Sequence, residues 1–343
     1  MIELQRTVGN RVVGQVLVVQ RQKTTPKGEY GLDTPVSQDR YVDDAVKLWK
    51  NQPGMSLVAF AEAMLRTIGV ELKGYGVPFF GWTFVSGAGA LGSFDSKAWK
   101  VNVNVAKFSK NPKAKTLKDI TLDEVTEVIG TLYHESRHTD QDVLIIRVLL
   151  DQKKTVDQIF AATKMRKDVI DAVKATTYKD PLDPDEIAHA GRMFDVMYGA
   201  HKEFLEFLMK HQVAVEALAT LAAPTSKISA ATKHIKVFST WQSGVLQPKV
   251  KQMAAAKNLS AVESALMQRL QQIDTELTAL LQAWKKVAGA KQPAAADLDA
   301  VREHAGDAHG EVIATYTSLE GESDAFRVEG EIKTAFGQKV AKP

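Results

Sequence analysis

The stretch TLDEVTEVIGTLYHESRHTDQDVLIIRVLL (residues 121–150) contains the pattern His134-Glu135-x-x-His138 within a segment that should be one long helix. Its first four residues form the sequence of a capping box, which starts a helix by satisfying its first free N–H groups. Apolar residues then recur at helical spacing up to the motif. Histidines four residues apart share one face of a helix, so both imidazoles can reach the same metal ion.

The residue types of this motif indicate a particular chemistry. Glu135 adjoins the first histidine, so its carboxylate lies near the metal without having to bind it. Two neutral nitrogen ligands, an open coordination position and a carboxylate base are what zinc-dependent peptide hydrolysis requires. The pattern therefore predicts that His134 and His138 bind Zn²⁺ and that Glu135 is the general base. The alternative is that both histidines are ordinary polar residues at a seam between helices.

Strand signals precede the motif helix. The segment WKVNVNV (residues 99–105) alternates between apolar and polar residues, as a half-buried strand does, and FFGWTFV (residues 79–85) is predicted to be its partner strand. A strand, a short linker and a capped helix with H-E-x-x-H is the order of elements in zincin metallopeptidases, which residues 79–150 resemble. In that family the strand edge beside the metal holds an extended substrate by backbone pairing. The alternative is a hairpin that only packs against the helix.

A catalytic zinc ion needs a third protein ligand. Leu144 stands where a metzincin would have a histidine, which excludes that subclass. The segment Glu322-Ser-Asp-Ala325 resembles the second-helix glutamate motif of gluzincin-like families, and this resemblance implies Glu322 as the third ligand. Glu320 and Asp324 are rivals, because acidic residues at a helix start are also common for electrostatic reasons alone. Weaker candidates are the histidines His189, His201, His304 and His309.

Three further residues or pairs have expected roles. The oxyanion formed during peptide hydrolysis needs a hydrogen-bond donor, and Tyr316, just before the third-ligand segment, is the candidate. Arg137 points to another face of the motif helix and is expected to pair with an acid. A structural metal site would instead need a fourth protein ligand, for which Asp140 and Asp324 are candidates.

The N-terminal segment LQRTVGNRVVGQVLVVQRQ (residues 4–22) contains a distinctive sequence motif. It resembles a short segment of proteins associated with bacterial extracellular contractile injection systems, the phage-tail-like particles. Valines at three- and four-residue intervals predict a short amphipathic helix, and KTTPKG (residues 23–28) predicts a linker after it. The resemblance implies a docking or loading segment that contacts particle components. The alternative is a helix that simply docks on the rest of the chain.

Three later stretches resemble metallopeptidase-like proteins encoded beside such injection systems, namely residues 132–141, 190–199 and 316–326. This chain departs from the pattern at Glu320-Gly321, where the family has Pro-Glu, which favours Glu322 as the matching acid. The resemblance implies an effector toxin that is made in the bacterial cytoplasm, packaged in or on the particle, and delivered to a target cell to cleave a peptide or protein. The alternative is a non-enzymatic cargo or assembly protein with a structural or vestigial metal site.

The predicted fold is mainly α (α+β), with a zincin-like core, a small β-hairpin or sheet before the motif helix, a large helical insertion and a C-terminal helical body. Its organisation is a docking segment and linker at 1–28, a metallopeptidase domain at 29–337 with the insertion at about 151–300, and a flexible tail at 338–343. Further helices are predicted over residues 43–51, 55–69, 155–162, 166–175, from 183 toward 218, 250–287 and 297–317.

Composition sets outer limits on function. A hydrophobic content of 45% is normal for a folded globular protein. The absence of cysteine excludes disulfides and thiolate zinc sites. A net charge of +3 without a basic block gives no electrostatic support for binding to nucleic acid or to anionic membranes. No transmembrane segment is expected, because the apolar run at residues 143–150 is short and interrupted by Arg147. A Sec signal peptide is not expected either, because the N-terminus lacks a basic region followed by an apolar core.

Overall fold

The structure is a computed structural model that describes residues 30–86, 90–178, 181–199, 202, 212–223, 232–290 and 293–342. The predicted docking segment at 1–28 lies outside these residues. In chain order the elements are α1 (Pro35–Asn51), α2 (Leu57–Gly74), β1 (Gly81–Val85), β2 (Gly92–Asp95), β3 (Lys100–Asn104), α3 (Leu122–Asp151), α4 (Val156–Thr163), α5 (Lys167–Ala175), α6 (Pro184–Tyr198), α7 (Gln212–Ala222), α8 (Thr232–Trp241), α9 (Gln247–Ala254), α10 (Ala261–Gly289), α11 (Ala295–Thr317) and α12 (Glu320–Ala341). The prediction of a mainly α fold with a small sheet is confirmed.

The motif helix α3 begins at the residues that the capping-box sequence indicates. Thr121 accepts a hydrogen bond from the backbone N–H of Glu124, and the Glu124 carboxylate accepts one from the backbone N–H of Thr121. This reciprocal capping box satisfies two N–H groups that a helix start otherwise leaves free. The helix then runs for 30 residues without interruption. The predicted extent through Leu150 is confirmed.

Helix α3 is enclosed by the rest of its unit, because every residue from 128 to 146 is buried. Its apolar side chains join the hydrophobic core formed with α1, α2, the sheet and α12. The polar run from 134 to 142 is buried with them. A polar side chain removed from water must find partners inside the protein, since an unsatisfied one costs free energy. The middle of α3 therefore has to be surrounded by complementary polar groups from neighbouring elements.

The sheet differs from the predicted hairpin. Strands β1 and β3 correspond to the two predicted strands and do pair, but they run parallel. The antiparallel partner of β3 is β2, a strand that the sequence did not predict, and the sheet order is β1-β3-β2. Because β2 has four residues and begins with glycine, it gives little alternating signal. Edge strand β2 lies against α3, where a Cβ added to Gly92 would stand 2.8 Å from Thr131 Cγ2.

The chain divides into two compact units. The motif unit takes its described residues from Gln22–Glu203 and Leu319–Pro343, and in it α12 packs along α3 and α1. The helical unit takes its described residues from Phe204–Ser318, and in it α11 packs against α10 and α7. The domain boundaries expected from the sequence, including the insertion at about 151–300, stay predictions. No helix in the described part of the chain is long and apolar enough to cross a membrane.

Two predicted helices have other bounds in the structure. The helix expected from residue 43 begins at Pro35, because Thr34 caps it. The helix expected from 183 toward 218 ends at Tyr198, where Gly199 is the C-cap residue.

Three further predictions need correction. The helix expected to stop at Gly69 continues to Gly74, since glycine is tolerated inside a helix whose other side chains are well packed. The long helix expected over 250–287 is two helices, and Ser260 caps the second one. Residues 338–341, expected in a tail, form the last turn of α12.

A glycine at the start of the motif unit provides a test of its buried polar core. Gly31 has a φ of 57°, and a Cβ added there would stand 2.1 Å from Asp140 Oδ2, which pairs with the buried guanidinium of Arg137. Gly31→Ala should displace this pair and lower the free energy of unfolding by roughly 3 kcal/mol. Chemical denaturation followed by circular dichroism measures the change.

The matched control for this test is Gly54→Ala. A Cβ added to Gly54 meets nothing within 4 Å, so the free energy of unfolding should change by less than about 0.5 kcal/mol. If the two variants lost equal amounts of unfolding free energy, the close approach of Gly31 to Asp140 would not be the reason that position 31 needs glycine.

Candidate metal centre

Three buried side chains from two helices of the motif unit converge on one point. His134 and His138 project from α3, and Glu322 projects from the first turn of α12. The distances are 3.6 Å from His134 Nε2 to Glu322 Oε2 and 3.8 Å from His138 Nε2 to Glu322 Oε1. Zinc bonds of about 2.1 Å place tetrahedral donors about 3.4 Å apart, close to these values. One potential ligand atom from each residue lies within 4.8 Å of the other two, so the group could hold a metal ion.

The other ring nitrogen of His134 faces a carboxylate. His134 Nδ1 lies 2.9 Å from Glu329 Oε2, and Glu329 Oε1 lies 2.6 Å from Lys333 Nζ. A carboxylate at Nδ1 favours a proton on that nitrogen, so Nε2, which faces Glu322, is the nitrogen that can lose its proton and bind a metal. Glu329 therefore orients His134 in the tautomer that binds a metal through Nε2.

His138 is oriented by an amide instead. Its Nδ1 lies 2.8 Å from Gln141 Oε1. The Gln141 Nε2 group donates to the backbone carbonyl of Gly321 at 2.9 Å and to Asp324 Oδ2 at 2.9 Å. Because both amide donors are engaged, the oxygen of Gln141 must accept, and His138 must donate from Nδ1. The Nε2 lone pair of His138 is thereby available to a metal.

A buried arginine holds the first turn of α12 against α3. Arg137 is 1% exposed, and it donates to Asp324 Oδ2 at 2.8 Å, to Asp140 Oδ2 at 2.6 Å and to the backbone carbonyl of Tyr30 at 3.0 Å. The expected pairing of Arg137 with an acid is confirmed. Burial alone would raise the pKa of Asp324, but the positive charges of Arg137 and Arg327 hold it well below its usual range. Asp324 is therefore an ionised anchor for the turn that carries Glu322.

The rivals for the third ligand have other partners. Glu320 accepts from His189 Nδ1 at 2.7 Å and from Arg192 Nη2 at 2.6 Å. Asp324 is engaged by Arg137 and Gln141, as described above. Among the residues that the structure describes, Glu322 is the acid that groups with both motif histidines.

The remaining candidates belong to the helical unit or are outside the described residues. His304, His309 and Tyr316 belong to the helical unit, on α11. Tyr316 is buried there, and its expected role as an oxyanion donor stays a prediction. His201 lies outside the described residues.

The expected general base is buried between the helix and the sheet. Glu135 is 3% exposed, and a Cβ added to Gly92 of β2 would stand 2.8 Å from its Cγ. Strand β2 therefore passes directly over Glu135, and glycine is the residue that leaves room for this carboxylate. The edge strand, the expected base and the metal group thus lie side by side in the motif unit.

Sequence reasoning found the three converging side chains and missed the groups that orient the two histidines. Glu329 follows Glu322 by seven residues on α12, a spacing that places both on one helix face, and this was a usable signal. Gln141 likewise follows His138 by three residues on α3. Phe326, whose ring centroid lies 4.6 Å from that of His134, was also missed as a packing partner.

Electrostatics around His134 favour a positive charge at this position. Burial alone would lower the pKa of His134, but hydrogen bonding to Glu322 and Glu329 and the negative charge of Glu329 raise it to about 10. Burial likewise would raise the pKa of Glu329, but Lys333 and His134 lower it to about 2. The carboxylates thus stabilise either a proton on His134 or a metal cation beside it.

Comparison with known proteins found no matching protein family, no matching curated protein and no matching solved structure. The resemblances to zincin metallopeptidases and to proteins of contractile injection systems therefore stay predictions.

Metal affinity should depend on pH over an unusual range. A metal ion needs an unprotonated Nε2, so binding should release the proton that His134 holds with a pKa of about 10. We expect the zinc Kd to fall about tenfold for each pH unit between about pH 6.5 and 8.5. Competition with a chelator of known affinity measures it. A Kd that is constant above about pH 7.5 would contradict this, because an ordinary imidazole is already deprotonated there.

Glu329→Gln is the informative comparison for this measurement. The amide keeps the size of the side chain and removes the negative charge that helps to raise the pKa of His134. The variant should bind zinc with a weaker dependence on pH than the wild type.

Proposed function

We propose that this chain is a zinc-dependent peptide hydrolase. The observation that carries the proposal is the buried group of His134, His138 and Glu322, in which both imidazoles are oriented to direct Nε2 at Glu322. Two neutral nitrogens and one carboxylate form a ligand set found at catalytic zinc sites of peptidases. Zinc suits this set better than magnesium or calcium, which prefer oxygen ligands.

The partners of nearby acids support a catalytic site over a structural one. A structural zinc site has four protein ligands, whereas a catalytic one keeps a position open. The two candidates for a fourth ligand, Asp140 and Asp324, both pair with Arg137. Within the described residues, the metal-binding group of this unit has three members.

The residues around the group provide the parts of a hydrolytic mechanism. When bound, zinc would lower the pKa of a coordinated water molecule to about 7 and polarise the carbonyl of the scissile bond. Glu135 would accept the proton of the attacking water and pass it to the leaving amine. Tyr316 stays our candidate for the donor to the oxyanion. Burial of Glu135 under β2 limits access of bulk water to the base.

Strand β2 offers a place for an extended peptide. The backbone N–H of Asn104 donates to the carbonyl of Leu91, so these opposite residues form a hydrogen-bonded pair of the antiparallel ladder. Hydrogen-bonded and non-hydrogen-bonded pairs alternate along such a ladder, so Gly92 and Phe94 belong to non-hydrogen-bonded pairs. Their N–H and C=O groups therefore face away from β3. A substrate strand added at this edge would lie beside β2, next to the strand that covers Glu135.

Delivery is a separate part of the proposal and rests on the resemblance of residues 4–22. We infer that the N-terminal segment docks the protein on components of a contractile injection particle in the producing bacterium. The hydrolase would then act on a peptide or protein of the cell that receives it. Neither nucleic acid nor a membrane is part of the proposal.

Replacement of the base tests the proposed activity. Zinc-loaded Glu135→Gln should keep its metal and lose peptide hydrolysis by about 10²- to 10⁴-fold, because the amide cannot accept the proton of the attacking water. A diverse peptide library, analysed by mass spectrometry before and after incubation, measures cleavage even though the natural substrate is unidentified.

The matched control is Asp151→Asn, which neutralises the exposed acid at the other end of α3 and should leave the rate unchanged. An unchanged rate in Glu135→Gln would contradict the assigned role. A zinc-loaded wild type that cleaves no peptide would favour the alternative of a non-enzymatic cargo or assembly protein.

A further inference from the structure

A second group of metal-ligating side chains lies within the helical unit, between α10 and α11. Glu276 projects from α10, and His304 and Asp307 project from α11. Residues three apart share one face of a helix, so both side chains of α11 can face the same point on α10. One potential ligand atom from each residue lies within 4.8 Å of the other two.

The imidazole of this group has an unusual environment. His304 Nδ1 is shielded from solvent and makes no hydrogen bond to any residue in the described part of the chain. Its nearest acidic atom is Glu276 Oε2 at 3.5 Å, in an arrangement that does not satisfy hydrogen-bond geometry. A buried nitrogen without a partner costs free energy, so such a nitrogen is a reason to look for a missing ligand.

Glu276 is positioned for coordination as well. Its Oε1 accepts a hydrogen bond from Gln272 Nε2 at 3.0 Å, one helical turn earlier on α10. This contact fixes the carboxylate and leaves Oε2 facing His304. The 3.5 Å between Oε2 and His304 Nδ1 is close to the donor spacing of about 3.4 Å that tetrahedral bonds of about 2.1 Å require.

An ordinary ion pair explains these contacts less well. A protonated His304 paired with Glu276 should donate a hydrogen bond from Nδ1, and the observed geometry lacks one. A cation placed between the three side chains would satisfy the buried nitrogen and both carboxylates together.

We propose that Glu276, His304 and Asp307 bind a second divalent transition-metal ion, which joins α10 to α11. One imidazole and two carboxylates form a ligand set that suits zinc, manganese or cobalt. Asp307 is exposed and His304 is about one-third exposed, so water molecules would complete the coordination shell. We therefore expect this ion to bind more weakly than one at the buried His134 group.

The second site has a structural role that is independent of the proposed hydrolase. It contains none of the residues of the His134 group, and its ligands come from neighbouring helices of one unit. An ion that binds the folded helix pair and not the unfolded chain raises the stability of that pair by mass action. Metal should therefore stabilise the helical unit even when the His134 group cannot bind it.

Equilibrium dialysis of the tag-free full chain against zinc tests the proposal through the number of ions bound. We expect about two ions per chain in the wild type, about one in Glu276→Gln, about one in Glu322→Ala, and none in the double variant. His304→Gln, which removes the nitrogen ligand by another route, should match Glu276→Gln. The control Glu303→Gln, which removes an exposed charge from the same helix, should still bind two.

Thermal denaturation provides the second measurement. In the Glu322→Ala background, zinc should raise Tm, and adding Glu276→Gln should abolish that rise while circular dichroism shows that the fold is retained. A single ion in the wild type that Glu322→Ala removes and Glu276→Gln retains, or an ion count that Glu276→Gln and His304→Gln leave unchanged, would overturn the proposal. Loss of the Glu322-dependent ion alone would count against the proposed hydrolase and leave the second site standing.

Discussion

The burial of a polar stretch in the middle of α3 is the constraint on which the rest of the motif unit depends. Residues 134–142 include two histidines, a glutamate, an arginine and two aspartates, and all of them are removed from solvent. Such groups are tolerated inside a protein only when each has a partner of complementary charge or hydrogen-bonding capacity. Helix α12 supplies partners for His134, Arg137, His138 and Gln141, and this explains why the last helix of the chain packs beside the central one.

The partners form one connected network. Arg137 joins α3 to Asp324 of α12, Asp324 joins Gln141, and Gln141 orients His138. Glu329, further along the same face of α12 as Glu322, orients His134. Because every link is desolvated, loss of one member leaves a charge or donor exposed to a low-dielectric interior, which costs more than the link itself contributes. The same network therefore holds the two helices together and aims both imidazoles at Glu322.

Local sequence was enough to predict some of this and not the rest. The capping box and the histidine spacing of α3 depend on residues within a few turns of each other, so they could be recognised without the fold. The choice among Glu320, Glu322 and Asp324 could not, because positions two apart on a helix differ by about 200° and only packing decides which one faces α3. Strand β2 and the contacts of Gly92 with Glu135 likewise depend on tertiary approach. The docking segment at 1–28 lies outside the described residues.

The most direct test of the central claim is a crystal structure of the zinc-soaked protein with anomalous data collected on both sides of the zinc absorption edge. We predict a peak within about 2.0–2.2 Å of His134 Nε2, His138 Nε2 and a carboxylate oxygen of Glu322, with a water molecule in the fourth position. Absence of a peak at these residues, or a peak coordinated by Glu320 or Asp324 in place of Glu322, would contradict the account.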